Sequence, residues 1–585
     1  MTSQIDAVTS EVILNAMLSI TEEMNVALIR SAYSTNIKER KDCSCALFDA
    51  KGKLTALAEN IPIHLGSMQG LMSEISAHRD RWDFQPGDIV IANDPYLGGG
   101  SHLPDITLVK PVFFRNELVN FVADIAHWTD VGGRSPGVGT AGDSTEIYQE
   151  GLRIPPIRIM RRGAIHQDAY QLIFANMRGR REREGDLRAQ IAACNLGETR
   201  LIELYEEYGR PTITACTRKI FKYSELWLRK ALLDVPRGGC TFADRMDDDG
   251  VTDNPRSIKV KVMIRHGKKS SILFDFAGTS PQAAGGINLV HQALLATVNY
   301  AVKAIFAPDV PINDGFQIPI TIRAPKKSLV NAEAPAAVGG RTDTCQRVVD
   351  AIMGALAQII PDKITAASNG ATTAIIFAGT EQLSHSDFVY VEALGGGQGA
   401  RPTKDGMDGV QVHITNTSNL PVEALEMEYP LRVLRYGLVP DTGGPGEFRG
   451  GLAIRKDIQA LVPLRFSAHS DRHRFSPWGI RGGYPGERGR FLLRSGKKRR
   501  FIRSKVSEVL LRTGDVLRAQ TAGGGGFGSP LDRDPEHVLA DFIHGKLSRG
   551  HCRKYYGVVL TSTGKLDHGA TRNLRGKMKA ESRDV

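Results

Sequence analysis

The sequence predicts a mixed α/β (α+β) protein of several domains, with mixed and antiparallel sheets, flanking helices and a strand-rich second half. Three observations carry this. At 585 residues the chain exceeds the size at which one hydrophobic core usually stops growing. Apolar residues at helical spacing and short strand-like runs both occur, without the regular strand-helix alternation of a parallel sheet. From about residue 375 onward, strand-like runs are separated mainly by glycine-rich turns.

The elements follow in order. Ile5, Val8, Val12, Leu14, Met17, Ile20, Met24 and Leu28 recur at roughly helical spacing and predict a long helix within residues 4–34. CALFDA, GDIVIAND, DITLVKPVFF and FVADIAHW then read as strands between glycine and proline turns, up to about residue 175. Helices are expected over 186–208 and 215–233. After Cys240, TFADRMDDDG and SIKVKVMIRHGKKSSILFDFAG read as hairpins. Helices return at 288–306 and 344–360, and a closing helix at 535–544. The resulting division is a metal-binding region over 1–238, a middle α/β region over 239–370, a strand-rich region over 371–560, and a basic, disordered tail over 561–585.

Charge and cysteine content exclude several function classes. The net charge of +11 lies in two places. Residues 486–505 hold nine Lys/Arg and one Glu, and the last 25 residues hold six basic and three acidic side chains. Lys497–Arg500 read as a solvated hairpin tip, so nucleic acid is not an expected partner. The seven cysteines are scattered and form no C-x-x-C, which argues against a disulfide framework or a thiolate zinc site. No signal-peptide pattern opens the sequence and no long uninterrupted apolar run is seen. A cytoplasmic protein without a membrane partner is expected.

Two pattern matches fail on context. Gly133–Gly137 fits G-x-S-x-G, but the glycine-rich VGTAGDS that follows does not start a helix, as a nucleophile elbow requires. Gly523–Gly528, GGGGFG, fits a dinucleotide fingerprint without a following strand and acidic residue, and reads better as a close-packed glycine turn. There is no P-loop. His469-Ser-Asp-Arg-His473 has ligand residue types but reads as a solvated loop.

NDPYLGGGSHLPD, residues 93–105, is more informative. It sets His102 and Asp105 beside three glycines. His127 ends a strand in ADIAHWTDVGG, and Glu39 and Asp42 precede another in NIKERKDCSCALFD. Two imidazoles and one or two carboxylates, without sulfur, suit Mn²⁺, Fe²⁺ or Zn²⁺.

ERKDCSCALFD, ENIPIHLGSM, GDIVIANDPYLGGGSHLPDITL, NMRGRREREGDLRAQIAACNLG, GGGQGARPTKDGMDG, HITNTSNLPVEALEMEYP and TGGPGEFRGGLAIR resemble successive blocks of the hydantoinase B/oxoprolinase family. The closing AGGGGFGSPLDRDPEHVLADFIHGKLSR resembles its C-terminal signature, so the resemblance runs from about residue 8 to 560. It implies the B subunit of an ATP-dependent hydrolase acting on a hydantoin, 5-oxoproline or lactam ring. ATP and Mg²⁺ would act through a partner, the hydantoinase A-type subunit, in a hetero-oligomer. The first alternative it implies is the metal subunit of a ketone carboxylase, taking an acetone- or acetophenone-like ketone plus bicarbonate. A non-catalytic scaffold subunit is the second.

The resemblance also implies one divalent ion held by one Glu, two His and one Asp. These fall on Glu39, His102, His127 and Asp105, with His64 of IPIHLGSM as a proton carrier or substrate contact. If residues 38–43 are extended, Glu39 and Asp42 point to opposite faces and only one reaches the ion. Cys43 stands where the family pattern resembles an aromatic residue or leucine; repacking of the core is the expected result.

Overall fold

The computed structural model describes residues 6–58, 60–138, 142–380 and 387–581. The architecture is the mixed α/β, multi-domain one expected, with four sheets of seven, four, four and five strands among the described residues.

The seven-stranded sheet is antiparallel throughout. Its spatial order is Leu54–Leu57, Cys43–Asp49, Glu117–His127, Asp105–Phe114, Ile89–Ala92, Ile157–Arg161 and Ala164–Ile165. Side chains alternate faces along a strand, and here both faces are covered. Cys43, Cys45 and Leu47 pack with Ile13, Met17, Ile20 and Met24 of the helix Ala7–Ser31 and with Leu187 of the helix Arg180–Tyr208. Ala46 and Phe48 pack on Leu65, Met68 and Leu71 of the helix His64–Ala77.

Asp6 starts the first helix by accepting the Thr9 amide N–H. Its buried stripe begins at Ile13, while Val8 and Val12 are exposed. By length and composition this helix would also suffice to cross a bilayer, although polar residues such as Glu22 and Glu23 interrupt its apolar run. Its apolar stripe instead covers the sheet.

The second sheet is mixed. Gly238–Met246, Arg256–Arg265 and Ser271–Asp275 are antiparallel neighbours, and Ile320–Arg323 adds in parallel. The helix Arg341–Leu356 packs on it with every residue buried. One hydrophobic cluster runs from Ile13 to Ile414, so the first two expected regions share a core. A separate cluster from Ile375 to Ala519 joins the last two sheets. Those sheets run Asp387–Ala393, Ala374–Thr380, Leu464–His469, Val506–Leu511 and Leu431–Val439, Ala453–Ala460, Val516–Gln520, Arg490–Ser495, Lys498–Ile502.

Three expectations need comment. The KKRR segment does lie at a hairpin: Ser495 pairs with Lys498 around Gly496–Lys497, and Lys498–Arg500 are exposed. GGGGFG is a glycine packing unit. Gly524 donates its N–H to the Gly451 carbonyl (2.9 Å) and accepts that of Gly444 (2.8 Å), so bare backbones lie side by side. The expected disorder of the tail is corrected for residues 561–581. His568–Glu581 is a helix, held because Arg575 donates to the carbonyls of Tyr556 (2.9 Å) and Arg533 (2.7 Å) and Thr571 accepts the Val559 N–H (3.0 Å). Its positive charges are in part carbonyl ligands, which a charge count does not reveal.

HSDRH is likewise buried, not solvated. Arg472 contacts Asp350 (2.7 Å) and Asp244 (3.1 Å), Arg347 contacts Asp471 (2.8 Å), and Lys505 contacts Asp471 (2.9 Å). Most of its partners lie more than a hundred residues away in sequence, out of reach of local reading. Burial raises Asp350 and Asp471, but the His413 bond and the Arg472 and Arg347 charges on the first, and the Lys505 and Arg347 charges on the second, hold both at about 2.

A folded pKa below the ordinary 3.8 gives stability that is complete above about pH 4 and lost as pH falls towards 2. The urea midpoint is therefore expected to drop steeply between about pH 4 and pH 2. A midpoint flat across that range would contradict these ion pairs.

Candidate metal centre

Strand register builds most of the centre. Asp105 lies opposite His127 in their hairpin. Cys43 lies opposite Ala126, and the His127 N–H donates to the Asp42 carbonyl (3.0 Å), so Asp42 is the next pair along. Cross-strand partners share a face. Asp42, His127 and Asp105 thus stand side by side on three neighbouring strands, on the face covered by the helix that starts at His64.

His102 arrives from the glycine loop, where the Asp105 N–H donates to its carbonyl (3.2 Å). The glycines serve close approach. Gly98 has φ 82° and a Cβ there would sit 2.4 Å from the Gly70 carbonyl oxygen; one on Gly100 would sit 2.7 Å from that of Asn93. Asn93 fastens the loop by donating to the Leu103 and Leu152 carbonyls and accepting the Ile154 N–H.

One donor atom each from His102, Asp105 and His127 lie within 4.8 Å of one another, and all three residues are buried. His102 Nε2 is 3.2 Å from Asp105 Oδ1, yet His102 Nδ1, His102 Nε2 and Asp105 Oδ1 have no hydrogen-bond partner. Leaving a buried polar atom without a partner costs about 1–3 kcal/mol each. Three together mark a place for a ligand. The other carboxylate oxygen, Oδ2, is engaged: Ser101 Oγ donates at 2.7 Å and Arg341 at 2.9 Å. Asp105 therefore presents a single free oxygen to the cavity.

Burial and the Arg341 charge lower His102 to about 3, and burial lowers His127 and His64. Asp105 stays well below the carboxylate range because His102 and Arg341 outweigh its burial. Two neutral imidazoles and an ionised carboxylate are the protonation state that a divalent cation takes.

Glu39 is not brought to this cluster. Residues 35–38 form a helical turn that Glu39 ends, and Lys41 turns the chain with φ 56°, so the segment is not extended and the alternation argument does not apply. Glu39 is exposed and its charge acts on Glu428. Asp42 stands in the cavity wall, its Oδ1 3.5 Å from His64 Nε2. Cys43, on the opposite face, sits in the core beside Asn25 and does not enlarge the cavity.

His64 Nδ1 is 3.0 Å from Ser44 Oγ, which turns Nε2 towards Asp42 and towards Asp105 Oδ1 at 3.9 Å. Asn36 donates to the His127 carbonyl (2.8 Å) and lies 3.1 Å from its Nδ1. Sequence reasoning does not find Ser101, Asn36 and Arg341. Ser101 is visible beside His102; Arg341 comes from 236 residues beyond Asp105 and leaves no local signal.

The cavity encloses about 60 Å³, room for roughly four or five waters. Ile61 and Thr415 line both it and a larger cleft of about 770 Å³ bordered by Leu57, Leu65, Tyr300 and Gln411.

The family model described as hydantoinase B/oxoprolinase matches residues 6–530. The putative B subunit of a D-/L-hydantoinase from a Pseudomonas strain is 33% identical over 588 residues, covering 98% of each chain. The crystal structure of the ATP-dependent caprolactamase from Pseudomonas jessenii matches with a TM-score of 0.90 and 30% identity, over 98% of this chain and 100% of that one. A nucleotide-free acetone carboxylase matches with a TM-score of 0.90 over 99% of this chain and 84% of that one; at 19% identity this is a likeness of fold.

Proposed function

We propose, from the premise that this chain belongs to the hydantoinase B/oxoprolinase family, that it is the metal-holding B subunit of an ATP-dependent hydrolase opening a hydantoin, 5-oxoproline or lactam-like ring. The observation that carries the metal part is the set of unpartnered donors, His102 and Asp105 Oδ1, in a buried cavity. Asp42, His102, Asp105 and His127 would hold one Mn²⁺, Zn²⁺ or Fe²⁺ ion, which when bound supplies Lewis acidity for attack on a poorly reactive carbonyl.

The remaining residues have definable tasks. Ser101 and Arg341 fix the unused oxygen of Asp105, and Asn36 orients His127. His64, steadied by Ser44, carries a proton at Nε2 beside the reacting centre. The small cavity takes the reacting carbonyl and the larger cleft the body of the ring, with Ile61, Val138 and Val391 keeping water out.

ATP and Mg²⁺ act on the A-type partner, which phosphorylates the substrate oxygen. That the hydantoinase relative is the B component of a multi-subunit enzyme supports this division. Seven unpaired, buried cysteines fit a reducing cytoplasm.

The test is reconstitution. This chain alone should open no ring. With its A-type partner, ring opening should depend on ATP and on metal retained by the purified protein. Incorporation of labelled bicarbonate carbon into product would instead make it a component of a ketone carboxylase. Full activity in metal-free protein would sink the metal reading.

A further inference from the structure

The donors discussed so far come from the first 130 residues, but part of the cavity wall is built by the second half of the chain. The start of the helix Arg341–Leu356 and the end of the strand Leu464–His469 contribute Thr342 and His469, and Thr372 lies between them in sequence. His469 is 3% exposed. Its Nδ1 is 3.0 Å from Asp343 Oδ2, while Asp343 Oδ1 accepts the Thr372 N–H at 2.8 Å. Both carboxylate oxygens are thereby engaged and the ring is held by one nitrogen. Nε2 has no hydrogen bond among the described residues. The hydroxyls of Thr342 and Thr372 are also buried and unpartnered.

We propose that His469, oriented by Asp343, donates the proton to the ring nitrogen that commits the activated cyclic amide to opening. This rests on the cyclic-amide reading above. Addition of water to an O-phosphorylated amide gives a tetrahedral carbon bearing a hydroxyl, the phosphate oxygen and the ring nitrogen. It can collapse in two ways. If the C–O bond to phosphate breaks, phosphate leaves with the bonding pair, a proton is lost to water, and the intact ring returns with ATP consumed for nothing. If the C–N bond breaks, its pair moves onto nitrogen, which takes the Nε2 proton of the His469 imidazolium. The hydroxyl proton passes to water, and an acyl phosphate remains that a second water hydrolyses to carboxylate and phosphate.

Unprotonated nitrogen is a far poorer leaving group than phosphate, so proton delivery selects the productive path. A carboxylate on Nδ1 supports the imidazolium and aims its other N–H. Thr342 and Thr372, at and beside a helix start, are free to donate to the anionic oxygens. Asp343 is a positioning residue in this scheme.

The test uses the reconstituted two-subunit enzyme with 5-oxoproline, hydantoin and caprolactam as probes, measuring ring-opened product and phosphate release together. Wild type should give about one opening per phosphate. His469→Gln and His469→Ala should keep their metal and go on releasing phosphate, while ring opening falls about 100-fold or more. Label from ¹⁸O-water should then appear in recovered cyclic amide, and imidazole should restore ring opening in His469→Ala roughly tenfold. Asp343→Asn should lower kcat with KM little changed and shift the pH profile.

Coupled ring opening by both His469 variants at near wild-type rates would overturn the inference alone. So would a parallel fall in phosphate release and ring opening in His469→Gln that is folded and metal-loaded. Phosphate release by wild type without opening of any probe ring would overturn the cyclic-amide reading, and this inference with it.

Discussion

His102→Ala is expected to bind its divalent ion at least about 100-fold more weakly than wild type, and to lose turnover in the reconstituted enzyme, while the fold survives. Both ring nitrogens of His102 are buried without partners, so the side chain makes no hydrogen bond whose loss would unfold the loop. Its removal deletes a donor and a local cost together. Asp42→Asn should act in the same direction, since a neutral amide is a poor ligand for a divalent cation. Glu39→Gln should leave metal content unchanged, because Glu39 ends a helical turn outside the cavity. Elemental analysis of the three purified variants decides this. Metal lost with Gln at 39 and retained with Asn at 42 would reverse the assignment.

Gly524→Ala is expected to be among the most damaging single changes in the protein, destabilising it by about 4 kcal/mol or more. A Cβ there would sit 2.0 Å from the Gln398 carbonyl oxygen and 2.4 Å from its carbon. The obstacle is backbone, which cannot swing aside like a flexible side chain, and that backbone is itself tied by the Gly451 N–H to Gln398 hydrogen bond. Gly437 is the matched control. It lies in a strand, and a Cβ added there would meet nothing within 4 Å, so Gly437→Ala should change stability by less than about 0.5 kcal/mol. Urea titration of the two variants tests the contrast; comparable stability of Gly524→Ala and wild type would refute the glycine packing described.

What could be read in the sequence was what local pattern determines. The stripe from Leu14 to Leu28 announced the first helix, and DITLVKPVFF and FVADIAHW announced the hairpin that sets Asp105 opposite His127. His102, Asp105 and His127 were recognisable because all three lie on or beside that hairpin. Asp42 was misplaced behind Glu39 because the choice hung on one left-handed residue, Lys41, which carries no propensity signal. His469 was set aside because its partner, Asp343, is 126 residues away. The tail helix went unread because Arg575 finds its carbonyl acceptors in residues 533 and 556.

The order of the donors along the chain bears on when the ion is acquired. During synthesis, a ribosome that has released some 130 residues has already delivered His102, Asp105 and His127 within one hairpin, and hairpins close in microseconds. Val391, Thr415 and His469, which wall the cavity, emerge only after at least another ~260 residues, on the order of ten seconds or more later. For that interval the three donors stand open to the surroundings; afterwards the ion is enclosed. Metal choice is then made by whichever cation is abundant at the moment of folding rather than by later equilibration, and protein produced in different media should carry different metals that exchange slowly once the chain is complete.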